Sequence, residues 1–88
     1  MATKSLTLRR SIGSYAVAEG IVRRLDHVTA AMDMDARIAD LREWRLKVAS
    51  HALSEGCNLE LDGEPDRALS ETEAADVIRA GHQVWIVG

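Results

Sequence analysis

The chain is expected to fold as an α+β domain: apolar residues recur at helical spacing through its middle, and short alternating or β-branched runs flank that stretch. A serine–glutamate capping signature near residue 70 adds a further helix. The expected order is β-α-α-β-α-β, an antiparallel helical hairpin plus a third short helix packed on a small sheet of about three strands. At 88 residues there is room for one core.

Residues 5–9 alternate with period two and read as a short strand with Leu6 and Leu8 inward. Ser11 is an N-cap candidate for a first helix reaching about residue 31. Its stripe is Ala18, Ile21, Leu25, Val28 and Met32, with Glu19, Arg23, Asp26 and His27 opposite. Glu19 and Arg23 have the favourable i,i+4 spacing. Gly13 and Gly20 lower helix propensity or mark close backbone approach.

Asp33 or Asp35 can cap a second helix over about residues 35–54, whose stripe is Met34, Ile38, Leu41, Arg45, Val48 and Ala52. The heptad slips by one residue at the junction, so a break is expected there; one long helix in a dimer is the alternative. The apolar arc is wider than one stripe, with Trp44 on one edge and Leu46 and Leu53 on the other. Such a helix touches two surfaces. Arg45 falls near the seam, and three outcomes are open to it: snorkelling to the rim, a salt bridge to an acid such as Asp26, or a partner across a dimer seam.

Gly56 suits the left-handed position after that helix, and residues 59–62 alternate again as a strand. Residues 62–66 read as a turn. Ser70 and Glu73 form a capping box, Leu69 and Ala74 a hydrophobic staple, and Gly81 ends a third helix over 71–80. Residues 84–87 are a β-branched and aromatic run, a strand covered on both faces. The connection from Leu61 to Val84 is long enough for a parallel crossover if those strands are neighbours.

Composition narrows the function classes. One cysteine, Cys57, excludes an internal disulfide, and no apolar run approaches a membrane span. The N-terminus lacks the apolar segment of a signal peptide, so a cytoplasmic protein, or a phage or plasmid product acting in a cytosol, is expected. Formal net charge is −3, unevenly spread. Residues 1–24 set Lys4, Arg9, Arg10, Arg23 and Arg24 against Glu19 alone, whereas residues 56–88 are acidic, offset only by Arg67 and Arg79.

Asp62, Glu64, Asp66, Ser70 and Glu73 have a spacing that resembles an EF-hand loop. Arg67 stands where that loop needs glycine and a strand precedes it, so an acidic surface turn is expected instead. His27, His51 and His82 are scattered, and Cys57 follows a helix end where the dipole disfavours a thiolate. No serine has a nucleophile-elbow setting. Neither an enzyme, a cofactor nor a metal is expected.

Two binding readings remain. The first is a non-enzymatic protein-interaction module, an inhibitor or adaptor, meeting another protein through Trp44, Arg42, Arg45 and Trp85 or through the acidic C-terminal face. A homodimer is one form of such association. In general character (short, acidic, free of motifs) the chain resembles phage-encoded anti-defence proteins, anti-CRISPR proteins among them. The alternative is a dimeric DNA-binding regulator: residues 3–9 followed by a helix resemble the start of ribbon-helix-helix repressors. That resemblance implies Ser5, Thr7 and Arg9 in the major groove, with Arg10, Arg23 and Arg24 near phosphates.

Overall fold

Ser11, Asp33 and Ser70 each turn a side-chain oxygen back onto the N–H three residues later, and each starts a helix. Their acceptors meet Ser14 N at 3.1 Å, Ala36 N at 2.7 Å and Glu73 N at 3.1 Å. The computed structural model describes residues 8–21, 33–65 and 67–88. Along it run β1 (Arg9–Ser11), α1 (Ile12–Ala18), α2 (Met34–Ser54), β2 (Asn58–Leu61), α3 (Glu71–Arg79) and β3 (Val84–Val87). This is the expected α+β order.

The N-terminal part departs from the sequence reading. The strand sits later than expected, and Leu8, expected inward, is 53% exposed. The rest of the expected strand, residues 5–7, lies outside the described residues. The first helix stops at Ala18 rather than continuing. Gly20 takes φ +71°, and the N–H groups of Gly20 and Ile21 return to the carbonyls of Val17 and Ala16. That is a Schellman stop, which glycine reaches without the penalty a Cβ brings. The stop exposes Val17 and Ala18 and leaves Ile21 packing on the core from outside the helix. The remainder of the expected stripe (Leu25, Val28, Met32), with Asp26 and His27, lies outside the described residues.

α2 begins where the break was expected, and ends in the same motif, with Gly56 and Cys57 bonding back to Leu53 and Ala52. α3 carries the full capping box: Ser70 N also donates to Glu73 Oε1 at 3.1 Å. Its staple residues, Leu69 and Ala74, are both buried.

The sheet order is β1-β3-β2, with β3 antiparallel to both neighbours. β2 and β3 are therefore adjacent, but not by the parallel crossover. The reason lies in residues 62–69. After β2 the chain reverses and runs back beside it, pairing Ala68 with Glu60 and donating Leu69 N to Leu59 O at 2.7 Å. This extra reversal before α3 inverts the direction in which β3 arrives.

Leu59, Val84 and Ile86 point to one face and are fully buried there with Ile12, Tyr15, Val48, Ala52 and Ile78. On the opposite face Arg9 reaches across β3 to Glu60 at 2.5 Å, beside Val87 and Trp85. Trp85 Nε1 donates to Asp62 Oδ1 at 3.1 Å. β3 is thus enclosed on both sides, as its sequence suggested.

Two glycines separate close approach from conformational need. Gly13 lies inside α1 with nothing within 4 Å of where a Cβ would stand, so it marks no close contact. Gly13→Ala should raise stability by about 0.5–1 kcal/mol in chemical denaturation, whereas Gly20→Ala, forced into positive φ, should lower it by about 1 kcal/mol or more. The Glu73 carboxyl is held below its usual range by the Ser70 N–H first and by the neighbouring Arg67 guanidinium second. A depressed folded value contributes above the ordinary carboxylate range and is lost as pH falls through it. Ser70→Ala, which removes the acceptor of the Glu73 N–H, should cost about 1 kcal/mol. Glu73→Ala should lower stability at neutral pH by a gap that narrows in thermal melts taken on acidification.

Candidate functional site

α2 divides into two halves with different surroundings. Val48, Ala49 and Ala52 are buried against the other elements, and Trp44, Leu46 and Leu53 pack around them. The N-terminal half keeps the same stripe but nothing described covers it: Met34 is 67% exposed, Ile38 37% and Leu41 39%. Apolar residues placed four and three apart on one helix form a continuous strip, and such a strip on a small soluble domain marks an interaction surface more often than scattered single residues do.

At the foot of the strip is a cleft between the start of α1 and the middle of α2, lined by Ser11, Ile12, Gly13, Leu41, Trp44, Arg45 and Gln83. Trp44 Nε1 is buried with no hydrogen-bond partner. Arg45 is half-buried on the cleft wall and makes no ion pair with an acid among the described residues. Its suggested partner Asp26 lies outside them. The cleft therefore presents the Arg45 guanidinium, without an acidic partner among the described residues, beside the Ser11 and Gln83 side chains and Leu41, with the Trp44 N–H shut away from solvent.

The other two residues expected to bind a partner stand elsewhere. Arg42 folds against the end of α3: a Cβ on Gly81, which has φ +90°, would come within 2.9 Å of its Nη2. Its place is the α2–α3 seam. Trp85 belongs to the far face of the sheet, tied to Asp62. Of the residues proposed to meet DNA, Ser5, Thr7, Arg23 and Arg24 lie outside the described residues. Arg9 is engaged with Glu60. Arg10, opposite Ile86 on the core side, sets its guanidinium over the Tyr15 ring, 4.9 Å from the centroid. Both of these cations work within the fold.

The acids of the calcium-like frame are also engaged locally. Asp62 accepts from Trp85, Glu64 pairs with Arg67 at 3.5 Å, and Glu73 caps α3. Asp66 lies outside the described residues.

One grouping was not read from the sequence. Near the ends of α1 and α2, His51 Nε2 lies 3.7 Å from both Glu19 Oε1 and Glu55 Oε1. Its ring is tilted 53° to that of Tyr15, with centroids 6.1 Å apart. Tyr15 is 1% exposed, and its hydroxyl has no hydrogen-bond partner. Burial first, then the nearby Cys57, Glu19 and Glu55, push the Tyr15 phenol above its usual value, because each disfavours a phenolate. The i,i+4 spacing of His51 and Glu55 was visible in the sequence; the approach of Glu19 depends on how α1 packs against α2.

No protein-family model, curated protein or solved structure matches this chain. Among the described residues, no helix is long and apolar enough to cross a membrane.

Tyr15 gives a direct test of the local environment. A phenol raised in the folded state contributes fully below the ordinary tyrosine value near 10, and the contribution is lost as pH rises through the folded value. Tyr15→Phe removes a buried donor that lacks an acceptor. Its stability at neutral pH should stay within about 1 kcal/mol of wild type, or exceed it, in urea titrations. In wild type the ultraviolet absorbance of this tyrosine should titrate above 10, later than in the urea-unfolded chain.

Proposed function

We propose that this protein acts by binding another protein, as an inhibitor or adaptor, through the N-terminal half of α2 and the cleft at its foot. The observation that supports this most is the exposed strip of Met34, Ile38 and Leu41 running into a cleft walled by Trp44 and Arg45. The partner chemistry follows from the surface: an apolar segment carrying a carboxylate, able to lie along the strip and accept from Arg45. A tryptophan and an arginine beside aliphatic side chains form a common pattern for the residues that dominate binding energy. Arg42 and Trp85 fall outside this surface and are not needed for it.

The test uses a photo-crosslinking residue placed singly at Met34, Leu41 or, as a control on α3, Thr72. Adducts to a heterologous protein are expected from positions 34 and 41 and not from 72. Ile38→Asp and Leu41→Asp should weaken that association at least tenfold, since each puts an unpaired charge into the contact. Met34→Asp, at the most exposed position of the strip (67%), should weaken the association too while leaving the melting temperature little changed. An adduct of twice the chain mass would reassign the strip to self-association, and equal labelling at all three positions would remove the proposal.

A further inference from the structure

The grouping at the ends of α1 and α2 has a chemistry of its own, separate from the strip at the other end of α2. Two glutamates stand at helix C-caps, Glu19 after α1 and Glu55 after α2. A helix C-terminus already carries the negative end of the backbone dipole, so an acidic side chain there is unfavourable unless a cation is held nearby. At the 21-residue α2 this is most pronounced. His51, in its last turn, places an imidazole nitrogen between the two carboxylates.

We propose that Glu19, His51 and Glu55 form a binding site for a divalent transition metal of the zinc type, with the remaining coordination position open to water. The donor set is one imidazole nitrogen and two carboxylate oxygens, which suits zinc and its neighbours better than calcium or magnesium. The spacing suits it as well. The three donor atoms lie within 4.8 Å of one another, and both nitrogen–oxygen distances are 3.7 Å. Ligands about 2.1 Å from a tetrahedral zinc ion are about 3.4 Å apart. Closing the remaining gap needs only small rotations of glutamates whose side chains are 38% and 57% exposed.

Tyr15 supplies the independent observation. It sits one turn before Glu19 on α1, its ring lies 6.1 Å from that of His51, and its hydroxyl is buried with no partner among the described residues. Solvent reaches the group through the partly exposed edge of His51, so an ion needs no opening of the core to enter.

The proposal is tested by titrating the full, tag-free chain with zinc chloride alone, following melting temperature and calorimetric heat, and with cobalt chloride, following visible absorbance. One zinc per chain is expected, with a melting temperature that climbs with zinc concentration as mass action requires. Cobalt should give the intense visible bands of a four-coordinate ion. Each of His51→Ala, Glu19→Gln and Glu55→Gln should weaken binding at least tenfold, while Cys57→Ser and His82→Ala leave it unchanged. Tyr15→Phe should keep the stoichiometry, since the donors are Glu19, His51 and Glu55 alone. Loss with Glu55→Gln but not with Glu19→Gln would reduce the site to a two-residue helical contact and overturn the proposal. So would the absence of a zinc-dependent shift in wild type, or a shift abolished by Cys57→Ser or His82→Ala.

Discussion

Everything in this fold converges on a single turn and a half of α2, where Val48, Ala49 and Ala52 are buried to within a few per cent of complete. Two of these are alanines. Small side chains let neighbouring backbones come close, and here one helix surface must meet α1, α3 and the sheet together. Tyr15 and Ala16 approach from α1, Ala74 and Ile78 from α3, and Leu59 from β2. A larger residue at Ala49 or Ala52 would have to displace one of these groups, and overpacking in so small an aliphatic core has few places to relax. Because this stretch is pinned, the two ends of α2 are fixed relative to the body, and both candidate sites are carried on those ends.

The parts of the fold that local chemistry dictates could be read from the chain directly. Ser70 with Glu73, Asp33 ahead of a helical stripe, and Gly56 and Gly81 after one each satisfy orphan backbone groups within a few residues, and each did what its type suggests. Gly20 was the exception. Apolar spacing continued beyond it, and periodicity alone does not register that a glycine has taken positive φ and closed the helix. The direction of β3 was equally hidden, since it turns on Ala68 pairing with Glu60. That contact belongs to the tertiary arrangement, and nothing about an alanine in a loop announces it.

The candidate sites were legible to different degrees for the same reason. Trp44 and Arg45 drew attention by residue type, and they do share a cleft. Arg42 and Trp85 drew it equally but are absorbed by the end of α3 and by Asp62. A guanidinium or an indole has several uses, and which one applies depends on what packs beside it. The i,i+4 spacing of Glu19 and Arg23 makes an ion pair only on a helix that continues past Gly20. Once the helix stops at Ala18, that glutamate becomes a cap, and it turns toward His51 on a different element.

The order of strands has a consequence for how the molecule is made. β1 and β2 never touch; each is hydrogen-bonded to β3, which comes after both in the chain and lies between them. A ribosome therefore delivers two flanking ribbons long before the one that zips them together. Until residues 84–87 emerge, β1 lacks the strand it pairs with, so helices can gather early while the sheet waits for β3.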